Sequence, residues 1–110
     1  MALEGELDAA VSETAVTFEF SVINTGPGPI ELEFADACRA EFVVEQGEAA
    51  VWRFTDGRVF AQVLGSERLA PDETAIYDGR WSDPPAGSYT AVAELQARNA
   101  TCKARTEFSV

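Results

Sequence analysis

The chain has 110 residues and a net charge of −11, from 19 acidic and eight basic residues, with no histidine. That length buries one core and fits a single domain over residues 1–110. The absent histidine removes the usual general base and transition-metal ligand, and a dispersed acidic surface argues against nucleic acid or an anionic membrane as partner.

Hydrophobicity alternates with a period of two along most of the chain, the mark of half-buried strands. Val16, Phe18, Phe20 and Val22 alternate with Thr17, Glu19 and Ser21, then stop at the turn formers Asn24-Thr25-Gly26-Pro27-Gly28-Pro29. Ile30, Leu32 and Phe34 form a second strand, interrupted by Asp36-Ala37-Cys38. Phe42-Val43-Val44 reads as a third. Gln46-Gly47-Glu48 turns it into a fourth over Val51 to Phe54, a hairpin with Trp52 and Phe54 on one face.

Residues 55–65 are less regular. Asp56-Gly57 is a turn, and the remainder of the stretch fits a short helical turn or a strand equally well. Leu69-Ala70-Pro71-Asp72-Glu73 is a further turn, with proline at its preferred position. Thr74 to Trp81 resumes a strand, with Asp78-Gly79 suited to a bulge. Pro84 to Gly87 makes a corner. Tyr89, Ala91, Ala93, Leu95 and Ala97 alternate with polar residues and Val92, and Tyr89 sits where a tyrosine corner would. The last strand carries Ala104, Phe108 and Val110 opposite Lys103, Arg105 and Glu107.

Seven to nine short strands and no convincing helix make an all-β chain, an antiparallel Ig-like β-sandwich, with a closed barrel as the alternative. Val16, Phe18, Phe20, Trp52, Phe54, Tyr89 and Leu95 are the expected core. No apolar run reaches the ~20 residues of a membrane span. Met1 to Glu6 carries neither the basic nor the apolar part of a secretory signal, which points to a cytoplasmic protein.

Lys103 is the sole lysine, and the acidic residues are dispersed rather than blocked. Such a surface suits a salt-in halophile, where molar salt shrinks the Debye length to ~3 Å and screens the self-repulsion. An acidic protein from a high-GC organism is the alternative.

Little in the sequence carries chemistry. Glu19, Glu31, Glu33, Glu94 and Glu107 alternate along strands and read as a solvated face. The aspartates are scattered singly, so no metal loop is expected, and no cofactor motif is present. The candidate catalytic set is empty. Cys38 and Cys102 are expected as free thiols, placed at opposite ends of the sandwich, with a disulfide as the alternative. Asn99-Ala100-Thr101 matches a glycosylation sequon but reads as a turn. The distinctive stretch is Trp52 to Phe60. Its polar tip, Thr55, Asp56, Gly57 and Arg58, is an exposed turn held between buried aromatics, which makes a rigid presentation platform.

Trp52-Arg53-Phe54-Thr55-Asp56-Gly57 with Phe60, then Leu69-x-Pro71-x-Glu73, Trp81 and Gly87-x-Tyr89, resemble the BsuPI family of intracellular proteinase inhibitors. The Asn24-Thr25-Gly26 turn and the Phe42-Val43-Val44 strand fit as well, so the likeness spans roughly residues 15–97. With its acidic surface the chain looks like a haloarchaeal member. Where the family commonly carries a Gln-Arg-Tyr-Asp-Phe-like segment, this chain has Cys38-Arg39-Ala40-Glu41-Phe42. The resemblance implies an Ig-like, cytoplasmic protein that is not an enzyme and inhibits an intracellular serine proteinase of the subtilisin kind. The residues that match are core and turn positions, so they transfer fold more directly than inhibition. The candidate proteinase-contact loop is therefore Thr55 to Arg58, with Ala61–Glu67 and Gly26–Pro29 next. A non-inhibitory β-sandwich that binds some other protein is the second function class.

Overall fold

The computed structural model describes residues 2–110. Among them nine strands are found: β1 (Leu3–Val11), β2 (Ala15–Asn24), β3 (Ile30–Phe34), β4 (Ala40–Gln46), β5 (Ala49–Arg53), β6 (Gly65–Leu69), β7 (Thr74–Ser82), β8 (Ser88–Leu95) and β9 (Lys103–Ser109). All pair antiparallel, in three sheets ordered β1-β2-β7, β3-β6 and β5-β4-β8-β9. The described residues contain no helix, and no helix long and apolar enough to cross a membrane. The chain is an all-β sandwich.

Strand alternation explains the core. β2 sends Val16, Phe18, Phe20 and Val22 inward, each fully buried, and leaves Thr17 and Glu19 in water. β8 answers with Tyr89, Ala91, Ala93 and Leu95, and β4 with Ala40, Phe42 and Val44. The small side chains of β8 leave room for the large ones opposite. Phe42 stacks on Phe18 at 6.1 Å and meets Phe20 edge-on at 6.5 Å. Aromatic pairs at these separations add to the burial of their area.

Two polar devices close the ends. Asn24, fully buried, donates from Nδ2 to the carbonyls of Gly28 and Leu69 and accepts from the Gly26 amide. It thereby ties the 25–29 turn to the end of β6. The Tyr89 hydroxyl donates to the Pro85 carbonyl at 2.6 Å, the backward reach of a tyrosine corner.

Several expectations need correction. Trp52 and Phe54 are half-buried, packed against the core rather than within it, because β5 is a sheet edge. Asp78-Gly79 carries no bulge: β7 stays in unbroken register with β2, and the irregularity lies between Val44 and Glu45 opposite β5. Gly79 serves close approach instead. A Cβ there would sit 3.0 Å from the Phe42 ring and 3.2 Å from that of Phe54. Leu69 belongs not to a turn but to β6, which pairs with β3. β1 has no clear periodic signal in sequence, since its inward positions include Gly5 and Ala9 as well as Leu3 and Leu7.

The cysteines also lie differently from expectation. β4 and β9 flank β8 on opposite sides, and both begin where β8 ends. Leu95 faces Ala40 on one side and donates its amide to the Cys102 carbonyl on the other. Cys38 and Cys102 are thus at the same end of the sheet, before strands about 10 Å apart across it. The reason is that residues 35–39 turn the chain straight back into β4. Both thiols are free and buried.

Candidate functional site

β5 ends at Arg53, and β6 begins at Gly65. The stretch between them is the longest without regular structure among the described residues. It starts on an aromatic base. Trp52 lies between Phe18 at 5.8 Å and Trp81 at 6.1 Å, both stacked. Phe54 donates its amide to the Phe42 carbonyl, which extends the β4–β5 pairing by one residue. Its ring stands edge-on to Phe42 at 5.6 Å.

Above this base the chain makes two successive turns. Asp56 donates its amide to the Arg53 carbonyl, and Arg58 donates to that of Thr55, both at 3.2 Å. Gly57 has φ +73°, a left-handed conformation that glycine adopts at no steric cost. Glu41 of β4 holds the first turn from below. One carboxylate oxygen accepts from the amides of Phe42 and Thr55, and the other from the Thr55 hydroxyl.

Arg58 and Phe60 then both return to Phe54. The Arg58 guanidinium lies 4.2 Å over its ring centre. Phe60 packs against the same ring at 6.2 Å. Ala61 is held through its carbonyl, which accepts from the Ala37 amide at 2.9 Å. Between these anchors Val59 is 98% exposed. Further on, Val63 is 62% and Leu64 73% exposed.

Of the four residues singled out in sequence, Thr55 is half-buried, while Asp56, Gly57 and Arg58 face solvent. The structure brings them together in one turn, flanked by the aromatics named as anchors. Sequence reasoning ranked Ala61–Glu67 next but did not single out Val59, or the exposed apolar run it begins with Val63 and Leu64. Residues 59–64 are apolar at every position except Gln62. The signal was the loss of alternation: an apolar stretch fitting neither period two nor a helix of useful length need not be core.

Beneath the loop is a cavity of about 250 Å³ lined by Cys38, Arg39, Phe42, Phe54, Phe60 and Tyr77, among others. Burial pushes the Cys38 thiol above its ordinary value, and the carboxylates of Asp36 and Glu41 add to this. Tyr77 is pushed up by burial and by its 2.6 Å bond to the Glu67 carboxylate. A thiol held protonated is a poor nucleophile. Arg39 lies over Phe34 at 4.3 Å. Among the described residues no cluster of three or more Cys, Asp or Glu side chains is arranged to hold a metal.

The other sequence candidates play structural parts. The 26–29 turn is tied down by Asn24. Asn99 of the sequon bonds through both ends of its amide to β3, donating to the Glu31 carbonyl and accepting from the Glu33 amide.

The BsuPI family, described as intracellular proteinase inhibitor, matches residues 3–100 of this chain. No curated protein matches at a significant level. Among solved structures, a β-glucosidase from Kluyveromyces marxianus in complex with glucose superposes with a TM-score of 0.55 at 14% identity. The match covers 98% of this chain and 14% of that one. A β-glucuronidase from Bacteroides uniformis, covalently bound to a cyclophellitol aziridine, gives 0.51 at 12% identity, covering 99% and 14%. This chain thus spans about one-seventh of those enzymes' length, and at such identity the likeness concerns fold alone.

Proposed function

The chain belongs to the BsuPI family of intracellular proteinase inhibitors, and we propose that it inhibits a subtilisin-like serine proteinase in the cytoplasm by occupying the active-site cleft with the loop from Thr55 to Leu64. The Thr55, Asp56, Gly57 and Arg58 turn forms the stiff shoulder of the contact. The apolar residues after it supply the surface that is buried. No residue of this chain performs catalysis.

The observation that carries this reading is an exposed apolar loop anchored at several points on a packed aromatic base. Monomer surfaces seldom leave large apolar side chains projecting in a group without a partner. Anchoring by Glu41, Phe54 and Ala37 means that little chain entropy remains to be lost on binding, and that cost otherwise consumes affinity.

The test is a titration of purified protein against an intracellular subtilisin-type proteinase with a chromogenic peptide, in molar KCl. Inhibition is expected from the natural chain. It is expected to vanish when residues 55–64 are replaced by a Gly/Ser loop of equal length, with unfolding still cooperative although the urea midpoint falls as the contacts to Glu41 and Phe54 are lost. A natural chain that inhibits nothing returns the weight to a non-inhibitory interaction module. Inhibition that survives the replacement removes the loop assignment. We further propose that the −11 surface suits a salt-rich cytoplasm. The urea midpoint then rises from dilute to molar KCl, since screening and salting-out act in the same direction. A flat or falling midpoint contradicts that proposal.

A further inference from the structure

We infer that Val59 is the side chain that enters the proteinase's primary specificity pocket, and that this pocket takes a small or medium apolar residue. The inference rests on the inhibitor reading above and adds the residue and the pocket's chemistry.

Three observations single out Val59. Its neighbours on both sides are committed to one ring: the Arg58 guanidinium lies 4.2 Å over Phe54, and Phe60 packs on it at 6.2 Å. With Arg58 and Phe60 both held on Phe54, Val59 between them is left 98% exposed. The backbone that carries it is fixed on either side, by the Arg58–Thr55 bond before it and the Ala61–Ala37 bond after it. A β-branched side chain also has few rotamers to lose when a pocket closes on it.

The competing side chains are less suited. Arg58 is engaged by Phe54. Asp56 would carry its charge into an apolar pocket, which costs far more than it returns. Val63 and Leu64 are exposed, but Val63 lies between two exposed residues, and Leu64 precedes β6 with no anchored side chain before it. The complex needs no covalent step: affinity comes from filling the pocket and from the loop's prior order.

The experiment compares Val59→Asp, Val59→Gly and Val59→Leu with Val63→Asp, against the same subtilisin-type serine proteinase and peptide substrate. The urea midpoint of each variant is measured alongside. At so exposed a position the fold should be indifferent to all of them. Val59→Asp is expected to weaken inhibition by ~10²-fold or more, and Val59→Gly by ~10-fold or more, the scale of losing an apolar group from a fitted pocket. Val59→Leu should stay within ~10-fold of the natural chain, and Val63→Asp should cost less than Val59→Asp. If the natural chain inhibits and Val59→Asp inhibits equally well, or Val63→Asp costs more, the assignment of Val59 is wrong while the inhibitor reading stands. If the natural chain inhibits no such proteinase, both fall together.

Discussion

Trp52 and Phe54 on one side, and Val59, Val63 and Leu64 on the other, are close in sequence, alike in being apolar and different in exposure. The first pair is laid into a continuous aromatic stack with Phe18, Phe42 and Trp81. The second projects Val59, Val63 and Leu64 into water. What separates them is backbone pairing. Trp52 faces Val44 across the β4–β5 ladder, and Phe54 still bonds to Phe42. Val59, Val63 and Leu64 have no strand partner to turn them inward, and Phe60 among them is held only by its contact with the Phe54 ring. Apolar composition thus supplies the tendency to bury, and for Trp52 and Phe54 pairing with β4 sets which face meets the core.

That contrast can be broken most directly at its buried side. Phe18, fully buried and in contact with Phe42, Trp52 and Phe108, should cost about 3–5 kcal/mol on truncation to alanine. Val63→Ser in the loop should stay within about 0.5 kcal/mol, as surface changes usually do. Urea unfolding of the two variants measures the difference, and similar costs would dissolve the distinction.

A smaller loss is expected at Asn24. Replacing it with alanine leaves the Gly26 amide and the Gly28 and Leu69 carbonyls without their partner. About 1–3 kcal/mol should be lost, the usual penalty for stranding buried polar groups. None of these bonds involves residues 55–64, so inhibition by the folded fraction should be unaffected.

Glu41→Ala sharpens the comparison where the two regions meet. It removes both bonds to Thr55, for about 1 kcal/mol of stability. The clearer readout is amide exchange: the Thr55 amide should exchange faster while β2 amides keep their protection. Unchanged exchange at Thr55 would mean that the aromatic anchors alone hold the turn.

The smallest effect concerns alkaline pH. Burial raises the Cys38 and Cys102 thiols above their ordinary value of 9.0, and raises the Tyr77 hydroxyl above 10.0. In the unfolded chain these groups ionise near their ordinary values, whereas the folded chain keeps its protons to higher pH. Above about pH 9 the unfolded state therefore binds fewer protons than the folded state, and stability falls as pH rises. Below that pH these groups contribute no slope. Urea midpoints from pH 7 to 10.5 should decline at the upper end, and Cys38→Ala with Cys102→Ala should flatten part of the decline. Val59 and Val63 do not line the cavity that holds Cys38 and Tyr77, so variants at those two positions should leave the slope unchanged. A midpoint that climbs through this range contradicts the assignment.

Much of the fold was legible because one sheet face is wet and the other dry. β2 and β8 alternate cleanly, and the structure buries the same residues that the alternation selects. β1 and β6 were less legible for a common reason. Their inward positions include Gly5 and Ala9, and Gly65 and Glu67, so hydrophobicity does not rise every second residue. Pairing with β2 and with β3 makes them strands. The turn from Thr55 to Arg58 could be found from Asp56-Gly57 and its flanking aromatics. Its anchoring by Glu41 could not, because Glu41 belongs to a strand 14 positions earlier.

The sequence by itself determined the strand period, the turn chemistry at Asn24 and Gly57, the aromatic endowment and the acidic surface, all of which depend on local residue order or on composition. Only the tertiary structure decided that Cys38 and Cys102 share one end of a sheet, that Gly79 makes room for Phe42 and Phe54, and that Arg58 and Phe60 close on one ring and leave Val59 exposed. These arrangements depend on which strands become neighbours. That choice is made by long-range pairing, whose free energy no local window of residues contains.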